Sequence, residues 1–134
     1  MRRAGDLLDD AEDFIGAAKD LFSTKRWAKV CFACQQAAEL AVKAALNVLG
    51  RERRGHDVHT LLVDLGKERK ESLKFLEKGK ILDQYYIPTR YMNAFAEGSA
   101  RSHFTERQAE EAIKIVERIF SAMEKIVNEE KGSH

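Results

Sequence analysis

The sequence predicts an all-α protein, an up-and-down antiparallel bundle of four or five helices, on three observations. One proline and eight glycines punctuate 134 residues, too few turn formers for a chain of short strands. Alanine, leucine, glutamate and lysine dominate, the residues that lose least on entering a helix. Apolar side chains recur every three to four positions in three long stretches and two shorter ones, and such stripes are buried by packing helices side by side.

The first stripe, Leu7, Ala11, Phe14, Ile15, Ala18, Leu21 and Phe22, runs opposite Asp10, Asp13, Lys19 and Asp20 and gives an amphipathic helix from Asp6 to Phe22. Ser23 or Thr24 is expected to cap the second helix by accepting from its free amides. That helix runs from about Lys25 through Trp27, Cys31, Ala38, Val42, Ala45 and Leu49 to a stop at Gly50, and its alanines allow close neighbours. A basic connection, Arg51 to His56, leads to a short helix on Val58, Leu61, Leu62 and Leu65 that ends near Gly66. A weaker helical stretch carries Leu73, Leu76, Ile81 and Leu82, with Gly79 as a point where it can break. Ile87 precedes Pro88 and is pushed to an extended conformation, opening a long connection to His103. Thr105 and Gln108 form a capping box, and Ala109, Ala112, Ile113, Val116, Ile119, Phe120, Met123, Ile126 and Val127 mark the last long helix.

Twenty-three basic and 22 acidic residues leave a net charge of +1, so no bulk field draws nucleic acid or a membrane; any such affinity must come from a local patch. The most apolar window, Val30 to Leu49, is interrupted by Gln35, Gln36, Glu39 and Lys43 and falls short of a membrane span. Two cysteines make no disulfide framework, and the N-terminus lacks the apolar run of a signal peptide, so a cytoplasmic location is expected. Residues 1–131 are expected to form one domain, with 132–134 a remnant of an expression tag.

Four groups of residues carry the chemistry. Cys31 and Cys34 have the spacing of a zinc half-site or redox pair, but they lie inside a helix with no second pair, which favours two small core residues. No metal or cofactor is therefore expected. Gln36, Glu39 and Lys43 line a polar stripe on the second helix, suited to a ligand, a partner helix or an internal hydrogen-bond network. Tyr85, Tyr86, Arg90, Tyr91 and Phe95, followed by Arg101, His103 and Phe104, bring flat rings and forked cations together, which stack on bases and pair with phosphates; the plainer reading is that the tyrosines cap the core. Arg51, Arg53, Arg54, His56 and His59 crowd beside the end of the second helix. They suit an anionic ligand, with a neutral histidine able to move a proton, or else simply complement helix ends.

The stretch Phe32 to Leu46, with an aromatic ahead of QQAAE and a lysine after it, resembles the second-helix signature of the HEPN family. Gly55-His56-Asp57 with Leu61-Leu62 resembles its Gly-His turn and third helix, and Tyr86-Ile87-Pro88-Thr89-Arg90-Tyr91 resembles its YIPTRY segment. Ala109 to Ile115 resembles its last-helix entry. The resemblance implies a four- or five-helix bundle, commonly a homodimer, with a groove for nucleotides or RNA near the second helix and the YIPTRY segment. It also implies, for many prokaryotic relatives, a companion role beside a minimal nucleotidyltransferase in arrangements resembling toxin and antitoxin pairs. Other relatives are metal-independent endoribonucleases that use an arginine and a histidine separated by four to six residues. Here Arg51 with His56, and Arg53 or Arg54 with His59, satisfy that spacing, but at a loop rather than on a later helix. Met92 and Ser99-Ala100-Arg101-Ser102 also depart from the family pattern. The expectation is a non-catalytic, nucleotide- or RNA-binding dimer whose groove is lined by His56, Tyr86, Arg90 and Tyr91. The alternatives are a nuclease using His56, His59, Arg51 or Arg54, and a pure interaction module.

Overall fold

In the computed structural model the described residues are 3–52, 55, 57–86 and 103–132, and they contain no strand. Three long helices, α1 (Ala4–Ser23), α2 (Trp27–Val48) and α5 (Glu106–Gly132), are joined by two short ones, α3 (Val58–Leu65) and α4 (Leu76–Asp83), the last preceded by a 3-10 turn at Lys70–Phe75. The periodicity-based reading of an all-α bundle holds. The expected extension at Ile87, and the connection that follows it, lie outside the described residues.

The second helix is central because its side chains are small. Cys31, Cys34, Ala37, Ala38, Ala41, Val42 and Ala45 have no exposed surface, and α1, α3, α4 and α5 all pack on this helix. α1 contributes Ala11, Ile15 and Ala18, and α5 contributes Ala109, Ala112, Val116, Ile119 and Met123 to the same core, while Leu7 packs in a second cluster with Ala44 and Val127. At the far end Arg69 reaches from the start of the 3-10 turn to Glu71, Glu129 and Glu130, tying that turn to the last helix. The capping box at the head of α5 forms as expected: the Gln108 amide donates to Thr105 Oγ1 (3.2 Å) and the Thr105 amide to Gln108 Oε1 (2.9 Å).

Two local expectations change. Ser23 and Thr24 do not cap α2; their hydroxyls donate backwards to the carbonyls of Asp20 (2.7 Å) and Leu21 (3.1 Å) and so close α1. The chain then turns through Lys25 at φ 62°, with the Lys25 amide on the Phe22 carbonyl (3.0 Å) and the Arg26 amide on Leu21 (3.0 Å). This is a Schellman closure, and α2 ends in the same way around Gly50 at φ 76°, whose amide bonds Asn47 while that of Arg51 bonds Leu46. A side chain in the left-handed region costs on the order of 1 kcal/mol that glycine does not pay. Lys25→Gly is therefore expected to stabilise the chain against urea by about that amount, and Gly50→Ala to destabilise it similarly; no change in either would remove the strain argument.

The second correction concerns Gly79. It does not break α4 but lies buried within it, where a Cβ would come to 3.1 Å from Leu62 Cδ1, 3.2 Å from Val58 Cγ1 and 3.4 Å from the His59 nitrogen. The glycine lets α4 lie directly on α3.

Candidate functional site

The family-like residues converge through one carboxylate. Asp83, the last residue of α4, accepts the amides of Val58 (2.8 Å, Oδ1) and His59 (2.9 Å, Oδ2), filling the amide end of α3 with negative charge where the helix dipole favours it. Its Oδ1 also accepts from Gln35 Nε2 (3.3 Å) on α2, and Gln36 Nε2 in turn donates to Gln35 Oε1 (2.7 Å). Asp57 caps α3 by accepting the Thr60 amide (3.1 Å) and shares a hydrogen bond with Asp83. Burial, reinforced by that neighbouring carboxyl, pushes Asp83 up to about 6. Asp57 is held below its ordinary value, first by the hydrogen bond with Asp83. The pair therefore retains a proton, on Asp83, under mildly acidic conditions.

Two residues further on, α4 delivers the tyrosines. Tyr85 turns into the core, edge-on to Phe104 with ring centroids 5.6 Å apart, and burial pushes its hydroxyl up to about 12. Tyr86 stays half-buried, its ring 6.4 Å from that of Phe32 on α2. Phe32 precedes Gln36 by one helical turn, and Glu39 and Lys43 follow on the same side of α2, at the spacing that stacks side chains along one face. Glu39 is only 4% exposed and meets Lys43 Nζ at 3.4 Å. Tyr86 thus lies beside the glutamine-bearing helix, three residues after the carboxylate that holds the amide end of α3. His56, Arg53, Arg54, Arg90 and Tyr91 lie outside the described residues.

Of the basic cluster, Arg51 is committed elsewhere: Nη1 lies 2.8 Å from Asp64 and Nε 2.9 Å from Glu68. Asp64 is itself 3% exposed, so this pair stitches the turn after α2 onto α3, and the guanidinium is held still more firmly charged, chiefly by its bond to Glu68. The backbone of His59 is spent on Asp83. Cys31 and Cys34 are buried free thiols, pushed up by that burial, Cys31 to about 12, which keeps them protonated and unreactive. Among the described residues no cluster of three or more His, Cys, Asp or Glu can hold a metal ion.

Sequence reasoning missed Gln35, Phe32, Asp57 and above all Asp83. A signal was present: an acidic residue at the carboxyl end of a helix opposes the helix dipole and needs a reason to be there.

The HEPN domain family model matches residues 4–126. The chain belongs to the HEPN family. Solved structures agree with this HEPN assignment along almost the whole length. TT1696 from Thermus thermophilus is 37% identical, with 94% of this chain and 99% of that one covered and a TM-score of 0.89. ST0689, an archaeal HEPN homologue, is 32% identical over 95% of this chain and 99% of that one, with a TM-score of 0.78. A HEPN domain protein from Thermotoga maritima, TM0613, is 26% identical over 91% and 97%, with a TM-score of 0.73. No curated protein matches. Among the described residues of this HEPN bundle no helix is long and apolar enough to cross a membrane.

Proposed function

We propose that this HEPN chain is a non-catalytic binding protein, a homodimer that takes a nucleotide or RNA end beside α2 and serves as companion to a minimal nucleotidyltransferase. The observation that carries the reading is the convergence on Asp83. It joins the amide end of α3, Gln35 of α2 and the end of α4, three residues before Tyr86, whose ring lies 6.4 Å from that of Phe32, and this supports one shared binding surface there. In this reading Arg90 holds phosphate, Tyr86 or Tyr91 contacts the base, and His56 donates a hydrogen bond. Gln36, Glu39 and Lys43 shape the floor. A ring half-buried beside another ring suits base contact, because its plane is fixed in direction before the ligand arrives.

The commitment of Arg51 to Asp64 and Glu68 supports binding over catalysis, since a nuclease built on that arginine would need its fork for the reacting phosphate. RNA incubated with the protein in a chelator is expected to stay intact. Cleavage abolished by His56→Ala or His59→Ala would overturn the non-catalytic reading.

Isothermal titration with nucleoside phosphates and short RNA at low salt tests binding directly. Tyr86→Ala is expected to weaken it by about tenfold, the loss of one base–aromatic contact, with the chain still folded by circular dichroism after losing about 1 kcal/mol of ring packing. Failure of an intact dimer to bind any of these ligands would remove the nucleotide half of the proposal.

A further inference from the structure

A concave surface lies elsewhere on the bundle and shares no residue with the Asp83 cluster or Tyr86. It is a groove of about 810 Å³ between the 3-10 turn with α4 on one wall and α5 on the other. Its apolar surface comes from Phe75, the buried Ile115 and the half-buried Ala122; Lys74, Lys78, Lys114 and Arg118 stand around it, all exposed. Lys78, Lys114 and Arg118 meet no carboxylate among the described residues, and Lys74 lies 5.3 Å over the Phe75 ring. Of the two acidic residues present, Glu117 is neutralised by Lys19 at 2.9 Å, which leaves Glu111 near the head of α5. A surface of predominantly one charge over an apolar floor favours an occupant that is acidic and apolar at once.

The dimensions and pattern narrow the choice. From Glu111 to Ala122 the α5 wall is about 16 Å long, the length of three helical turns. A polynucleotide would gain nothing from Ile115 and Ala122 and would meet Glu111. A second copy of this chain is a poor fit as well. Its acidic face, Asp9, Asp10, Glu12 and Asp13, is exposed, but the apolar residues between them, Leu7, Leu8, Ala11 and Ile15, are buried in its own fold.

We infer that this groove docks an acidic amphipathic helix of a partner protein. Its apolar residues would sit on Phe75, Ile115 and Ala122, its carboxylates would face Lys78, Lys114 and Arg118, and a basic residue would lie at the end near Glu111. This deepens the partner half of the proposed function and rests on it, while leaving the nucleotide half independent.

Fluorescence anisotropy tests the inference with a labelled synthetic helix of about three turns, leucines along one face and glutamates on the others, against a control with lysines for the glutamates. The acidic peptide is expected to bind the wild-type chain at low salt and weaken as salt rises; the basic control is expected not to bind. The double variant Lys78→Glu with Arg118→Glu, and separately Ser121→Trp, which fills the groove without changing charge, are each expected to weaken binding by about tenfold or more. Tyr86→Ala is expected to leave peptide affinity unchanged, so loss of nucleotide binding and loss of peptide binding separate cleanly. The inference is overturned if the wild-type chain ignores the acidic peptide, or if the charge-reversed variant binds it equally. It is also overturned if that variant loses single-stranded RNA instead, or if sedimentation shows its own dimer coming apart, which would make the groove a self-interface.

Discussion

Asp83→Ala is expected to cost about 2–3 kcal/mol of stability, because it strips acceptors from the amides of Val58 and His59 and from buried Gln35 in one step. Urea unfolding followed by circular dichroism measures it. Asp83→Asn separates charge from shape, keeping one acceptor oxygen and a donor toward Asp57. Asp83 is raised from 3.8 to about 6 in the folded chain, so between those values the folded state holds a proton the unfolded chain has released. Its contribution is full below the lower value and lost as pH rises through the upper one. Asp57, shifted downward, works in the opposite sense: its contribution is present above its ordinary value and lost as pH falls. The net fall in stability across this interval is on the order of 1 kcal/mol, and the Asn variant is expected to flatten it. An Asn variant that retains the full pH slope would show that the shared proton lies elsewhere.

Gly79→Leu is the second large effect. In an isolated helix the change would help, since glycine is about 1 kcal/mol worse than other residues in a helix interior. Here the new side chain would be driven into Leu62 and Val58 and against the backbone at His59, so a net loss of about 2–3 kcal/mol is expected. The displacement also separates α3 from α4, and Asp83 with it, so nucleotide affinity is expected to fall alongside stability. A stabilised Gly79→Leu variant would mean that the glycine is a weak point in the helix after all and not a spacer.

These residues mark how far the sequence could be read. The five helices and the capping box at Thr105 were legible because they rest on spacing along one element: apolar positions every three to four residues, and a hydroxyl with an amide three residues on. The polar stripe Gln36, Glu39 and Lys43 was legible for the same reason, as was Tyr86 through its motif. Ser23 and Thr24 were misassigned because a hydroxyl at a helix junction serves the helix behind it as readily as the one ahead, and the left-handed turn at Lys25 decided between them. Gly79 was ambiguous because its purpose lies in Val58 and Leu62, seventeen or more residues away. Asp83 carried no motif; its partners come from two other elements, α2 and α3, and local pattern does not reach across them.

By itself the sequence determined the helical class, the order of the helices, the face each one buries and the family they compose, all of which follow from interactions within a few turns of chain. Only the tertiary structure decided that one aspartate joins α2, α3 and α4, that Arg51 is spent on Asp64 and Glu68, and that α4 and α5 leave a cationic groove between them. The physical reason is the same throughout. Whether a polar or charged group is occupied or available depends on which distant groups packing brings within hydrogen-bond reach, and that distance is a property of the fold.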